Sequence, residues 1–160
     1  VVLAFPGVAG AAPAGTHNFE QSFPVASKLC ANVAKGGGPK RLRSSAAAVL
    51  ADCTVLQNNF NASRASVIAT EAAIASALAA DKAARQVACV GKPTTHPVQC
   101  GLARRQSKLL RHRLGRQKFV AARAYWRTLE ADRAAFWAEI RALPGGKGLA
   151  PDKPIPLQND

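Results

Sequence analysis

The stretch CVGKPTTHPVQC, residues 89–100, decides how this chain folds. It has a cysteine at each end and carries two prolines and a glycine, and it separates two long segments with a helical hydrophobic period. Proline lacks the backbone N–H and clashes with the preceding turn, so Pro93 and Pro97 mark a rigid turn rather than a continued helix. Three chemistries compete for the loop. A metal site would recruit Cys89, His96, Cys100 and His112, but the spacing C-x6-H-x3-C-x11-H matches no familiar zinc pattern. A reactive thiol pair calls for a redox spacing such as C-x-x-C, which the chain lacks. A disulfide fits best, because it holds two helices together where little core lies between them. Closing a loop of this size stabilises a fold by roughly 3 kcal/mol in the chain-entropy treatment. Cys89 then pairs with Cys100, which leaves Cys30 for Cys53.

Upstream of the loop, no proline or glycine occurs between Ser45 and Gly91. Val49, Cys53, Leu56, Phe60, Val67, Ile74 and Leu78 recur there at spacings of three, four or seven, the signature of an amphipathic helix over about 44–89. The cluster Asn58, Asn59 and Asn61 is its weak point, since asparagine side chains compete for backbone hydrogen bonds; continuity is the favoured reading. Asn61-Ala62-Ser63 also fits a glycosylation sequon, though inside a helix and as a match common by chance. Downstream, a second helix over about 102–143 carries Leu110, Leu114, Ala121, Tyr125, Leu129, Phe136, Ile140 and Leu143. Two long stripes joined by a short loop form an antiparallel hairpin. With Cys89 facing Cys100, Cys53 lies near Phe136, Val49 near Ile140, Phe60 near Leu129 and Leu78 near Arg111.

A shorter helix over about 23–35 is expected before the hairpin, capped by Ser22, with Val25, Leu29 and Val33 on one face. Gly36 to Pro39 stop it. The Cys30–Cys53 bond docks it on the open end of the hairpin, where most large side chains gather. The fold class is therefore all-α, a single helical domain over 16–143. Residues 1–15, VVLAFPGVAGAAPAG, read as a signal-peptide remnant, and the Pro- and Gly-rich residues 144–160 as a flexible tail.

The composition agrees. Hydrophobic residues make up 48% of the 160 positions, but many are alanine and aromatics reach only 6%, so the core is thin and elongated. An even number of cysteines fits an exported, oxidised protein in a secreted, periplasmic or cell-envelope setting. No run attains the roughly 18 apolar residues of a membrane span, so the mature chain is expected to be soluble.

Charge placement carries the functional signal. The formal net charge is +13, and twelve of the twenty-two Lys and Arg residues fall between Lys82 and Arg127, an interval without Asp or Glu. Like charges four apart on a helix, such as Arg104 and Lys108, repel by a few tenths of a kcal/mol. A chain selected only for stability would intersperse signs, so the run points to an anionic partner. Arg104, Arg105, Lys108, Arg111, Arg113, Arg116 and Lys118 are the expected contacts, and anionic lipid or a cell-envelope polymer the expected partner. Sequence-specific nucleic acid recognition is disfavoured, because no reading motif and no stacking aromatics lie near the cations. Phe119, Tyr125 and Trp126 read as core residues. Self-association through a coiled-coil-like face is the alternative, and a haem or small-ligand carrier using Tyr125 or His112 a third reading. No catalytic residues, cofactor or metal are expected, since the nine acids are scattered and no nucleophile–base or phosphate-loop pattern occurs.

Overall fold

The computed structural model describes residues 17–91 and 96–155; the signal-remnant reading of 1–15 lies outside them, as do Pro93 and the last residues of the tail. The elements run α1 (Phe19–Ser22), α2 (Pro24–Ala34), a 3-10 turn (Lys40–Ser45), α3 (Ala46–Ala88) and α4 (Pro97–Ala142). No strand occurs among the described residues. Helices α3 and α4 pack side by side in opposite directions, and α2 packs on α3 at the open end. The register is the one the clasp dictates. Asn59 meets Asp132, Glu71 meets Lys118 and Asp81 meets Ser107, each within two residues of the expected partner.

The stripe of α3 is buried from Val49 to Ile74, and that of α4 includes Leu114, Tyr125, Leu129, Phe136 and Ile140. At the wide end these residues join Phe23, Ala26, Leu29, Val33 and Leu42 in one core. Phe19, Phe23 and Phe60 meet edge to face there, with ring centroids 5.4 to 6.1 Å apart. Such pairs add about 0.5–1.5 kcal/mol each beyond the area they bury. Helix α3 runs unbroken through its asparagines. Two of the three amides are spent on side chains instead of the backbone: Gln57 donates to Asn61 Oδ1 at 3.2 Å, and Asn59 donates to Asp132 Oδ1 at 3.1 Å.

Three local features differ from expectation. Helix α4 begins at Pro97, not near Leu102. Proline's fixed φ suits the first helical position, whose N–H has no intrahelical partner, so the residue that ends one segment starts the next. Ser22 does not cap α2. It closes α1, whose own cap is Asn18: Asn18 Oδ1 accepts from Gln21 N, and Gln21 Oε1 accepts from Asn18 N.

The third difference is the tail, which is docked rather than free as far as Ile155. Helix α2 has no side-chain cap from its own neighbours. Asp152 supplies one from the far end of the chain. Its Oδ1 accepts from Val25 N at 2.6 Å, and its Oδ2 accepts from Ala26 N at 3.0 Å and from Trp137 Nε1 at 3.1 Å. Asp152 is 1% exposed. Arg133 holds the same stretch, donating to the Asp152 carbonyl at 2.9 Å while its other nitrogens bind Glu130. The Ile155 N–H closes the arrangement on Glu130 Oε2. Before Asp152, the chain crosses the 3-10 turn closely enough that a Cβ at Gly145, with φ of 82°, would run into the Arg41 carbonyl. Arg41 and Ser45 bind the carbonyls of Lys147, Gly148 and Pro144.

Two outcomes follow from the docked tail. Asp152→Ala strands two helix N–H groups and an indole N–H, and should lower the unfolding free energy by about 2–4 kcal/mol in a denaturant titration. Glu130 has its carboxyl held below the ordinary 4.5, first by the Arg133 hydrogen bonds and then by the Ile155 N–H, against the opposing effect of burial. A depressed folded pKa gives stability that is complete above the unfolded value and lost as pH falls through the folded one. Glu130→Gln should therefore flatten the acid limb of the stability–pH curve below about pH 4.5, read from thermal melts.

Candidate anion-binding surface

The tip is built from the last turns of α3, the loop and the first turns of α4. Cys89 and Cys100 are joined there, with Cα atoms 4.8 Å apart, and Cys30–Cys53 ties α2 to α3 with 5.8 Å between Cα atoms. With both sulfurs bonded, neither Cys89 nor Cys100 is free as a thiolate ligand or nucleophile. Among the described residues no cluster of His, Cys, Asp or Glu is arranged to hold a metal ion.

Little apolar material lies between the helices here, and a polar contact takes its place. Ser107 falls on the α4 core stripe, seven residues from both Cys100 and Leu114, and is buried. Its hydroxyl donates to Asp81 Oδ2 at 2.7 Å, and the same oxygen receives Arg85 Nε at 3.3 Å. The only acid in the last two turns of α3 is thus turned into the seam, where it links the helices and fixes the Arg85 side chain. Further from the tip, Lys118 reaches Glu71 at 3.6 Å.

Many of the cations near the tip border open clefts along the seam. One open cleft of about 570 Å³ is walled by Arg85 on α3 and by Arg104, Ser107, Lys108, Arg111, His112, Gly115 and Arg116 on α4. A second, about 640 Å³, adds Lys82, Gln86 and Cys89 around Arg85, Arg104 and Arg111. A third, about 430 Å³, continues away from the tip past Ile74, Leu78, Leu114 and Lys118. Arg85 and Arg111 border all three, so the clefts form one channel between the helices, cationic on both walls. Close packing of cations in a cleft focuses positive potential along it and raises the local concentration of anions.

Of the seven expected contacts, five stand on this channel: Arg104, Lys108, Arg111, Arg116 and Lys118. Arg105 and Arg113 line none of the three clefts. Both are exposed on the side of α4 that faces away from α3. Lys82 and Arg85 belong to the channel, although neither was singled out in the sequence. Their signal was available, since the register that puts Leu78 beside Arg111 also puts Arg85 beside Arg104.

The residues considered for haem do not share a site. Tyr125 is in the core of the wide end, its hydroxyl pushed above the ordinary value by burial and held back by Arg64. His112 is on the basic channel, about 20 Å further along the same helix. A more apolar cleft of about 610 Å³ opens at the wide end between α1, Trp126 and the tail, bordered by His17, Val25, Pro151 and Ile155. Two of the three acids of α4 are engaged: Glu130 binds Arg133, and Asp132, its carboxyl raised by burial, accepts from Asn59 on α3. No protein-family model matches the chain, and no curated protein or solved structure is detectably similar to it.

Gly115 gives a direct check of the channel's openness. A Cβ built there meets nothing within 4 Å, and alanine in a helix interior is favoured over glycine by about 1 kcal/mol. Gly115→Ala should raise the unfolding free energy by about 0.5–1 kcal/mol in denaturant titrations, with no penalty from packing.

Proposed function

We propose that this chain is an exported, non-catalytic binding protein whose basic hairpin tip engages an anionic component of the cell envelope. The observation that carries this reading is the two-walled channel: Lys82 and Arg85 face Arg104, Lys108 and Arg111 across the seam, while Asp81 is turned inward. Cations so arranged repel one another, and α4 offers no acid before Glu130 to offset them. Binding an anion relieves that repulsion, so the partner contributes what the isolated fold lacks. Two disulfides are consistent with an oxidising compartment. No helix among the described residues is long and apolar enough to cross a membrane. No Phe, Tyr or Trp lines the channel walls, which favours recognition of charged groups over stacking on bases.

Long-chain polyphosphate is a suitable soluble probe, followed by fluorescence anisotropy. Affinity should fall at least tenfold as salt rises from about 50 to 200 mM, as expected when several phosphates release their counterions. The double reversal Arg85→Glu/Arg111→Glu should weaken binding by roughly tenfold or more at low salt. If neither polyphosphate nor anionic vesicles bind at low ionic strength, the reading is wrong.

A further inference from the structure

The two arginines that miss the channel lie on a second surface. Along the outer side of α4, Val98, Leu102, Leu109 and Val120 are 75%, 52%, 71% and 59% exposed. Arg105, Arg113 and Arg116, the last of which also borders the channel, fill the places between them. Read in order, these seven positions advance by steps of four, three, four, four, three and four, so all share one helix face. That face is opposite the buried stripe of Cys100, Ser107 and Leu114, and none of the described residues covers it. The three arginines have no acidic partner among the described residues. Phe119, expected in the core, is instead 46% exposed beside Val120.

We propose that this outer face of α4 seats the hairpin lengthwise on an anionic lipid bilayer, an inference that rests on the tip being an anion-binding surface and names the partner. Four large aliphatic side chains held in water on one helix face gain nothing from a hydrated polymer. They gain from the boundary between headgroups and acyl chains, where an interfacial helix sinks by about 5–10 Å. Arginine suits the intervening positions, because its stem lies along apolar surface while its guanidinium rises to the phosphate level. The face runs about 33 Å along the helix, a contact a planar surface can make along its whole length. A second copy fits it poorly. Pairing two such faces sets arginine against arginine, and the face carries no acid to answer them.

The test uses the full chain with vesicles of phosphatidylcholine alone, vesicles of phosphatidylcholine mixed with phosphatidylglycerol, and polyphosphate in solution. The variant is Leu102→Ser/Leu109→Ser, whose sites are exposed and whose folding is checked by circular dichroism. The wild type should co-sediment with the anionic vesicles and not with the neutral ones. The variant should lose vesicle affinity by roughly tenfold or more and bind polyphosphate as the wild type does. Polyphosphate binding without vesicle binding overturns the inference and leaves the anion-binding reading intact; loss of both ends that reading too. Equal vesicle binding by wild type and variant also overturns the inference. So does a dimer in light scattering that the variant abolishes, which assigns the face to a second copy.

Discussion

The wide end of this protein depends on one buried carboxylate. A helix leaves its first N–H groups without partners, and its N-terminus carries partial positive charge. In α2 those groups belong to Val25 and Ala26, and no nearby side chain serves them. Asp152 does, from the other end of the chain, and in the same position takes the Trp137 indole N–H. A buried, unaccompanied charge costs several kcal/mol. Three N–H donors around it, with Arg133 on the adjoining carbonyl, convert that liability into a joint between α2, α4 and the terminal segment. The Cys30–Cys53 bond keeps α2 near α3, but one covalent link permits rotation. The carboxylate fixes the helix's orientation, and so lets Phe23 and Ala26 become fully buried against Phe60 and its neighbours.

Long-range order in this chain was legible because it is periodic. The stripes of α3 and α4 repeat over many turns, so misreading one position does not shift the face, and the two cysteines set the register. Features that rest on one or two residues were not legible. Pro97 has the same composition whether it ends a loop or opens a helix, and only its place relative to the first turn decides. Ser22 has the character of a cap because it precedes Pro24 and an apolar run, whereas the atoms that perform the task, on Asp152, are 127 positions beyond the Val25 N–H they serve. The terminal segment has no period at all. Its docking rests on Asp152, on the glycine pair at 145 and 146, and on Ile155 meeting Glu130.

The cationic site shows the same division. The count of basic residues and their confinement to one half of the hairpin can be read from the sequence. Their distribution around α4 is a matter of phase. Arg104, Lys108 and Arg111 advance by steps of four and three along the edge beside α3, while Arg105 and Arg113, one and two positions out of step, stand on the far side. The three-and-four periodicity that marks the core sorts charges as well as apolar residues. The same phase separates Leu109 from Leu110, neighbours in sequence that point to different surroundings.

Cations on two sides of one helix also bear on how the tip holds together. Repulsion among them weakens α4 where the core is thinnest, since the contiguous apolar cluster stops near Val67 and Tyr125. The fold answers with contacts that do not depend on apolar area: the Cys89–Cys100 bond at the extremity and the Asp81–Ser107 hydrogen bond inside it. These fix the distance between the helices without neutralising the outer arginines. A hairpin lying on a bilayer by the outer face of α4 keeps α3 above it and the seam open at the side. Headgroups would then reach Arg105, Arg113 and Arg116 directly, while the channel around Arg85 and Arg111 stays accessible to a hydrated anion. On the proposed reading, the two sets of charges act at once only while the clasp keeps the rods parallel, so the disulfide at the tip would have a geometric role beyond stability.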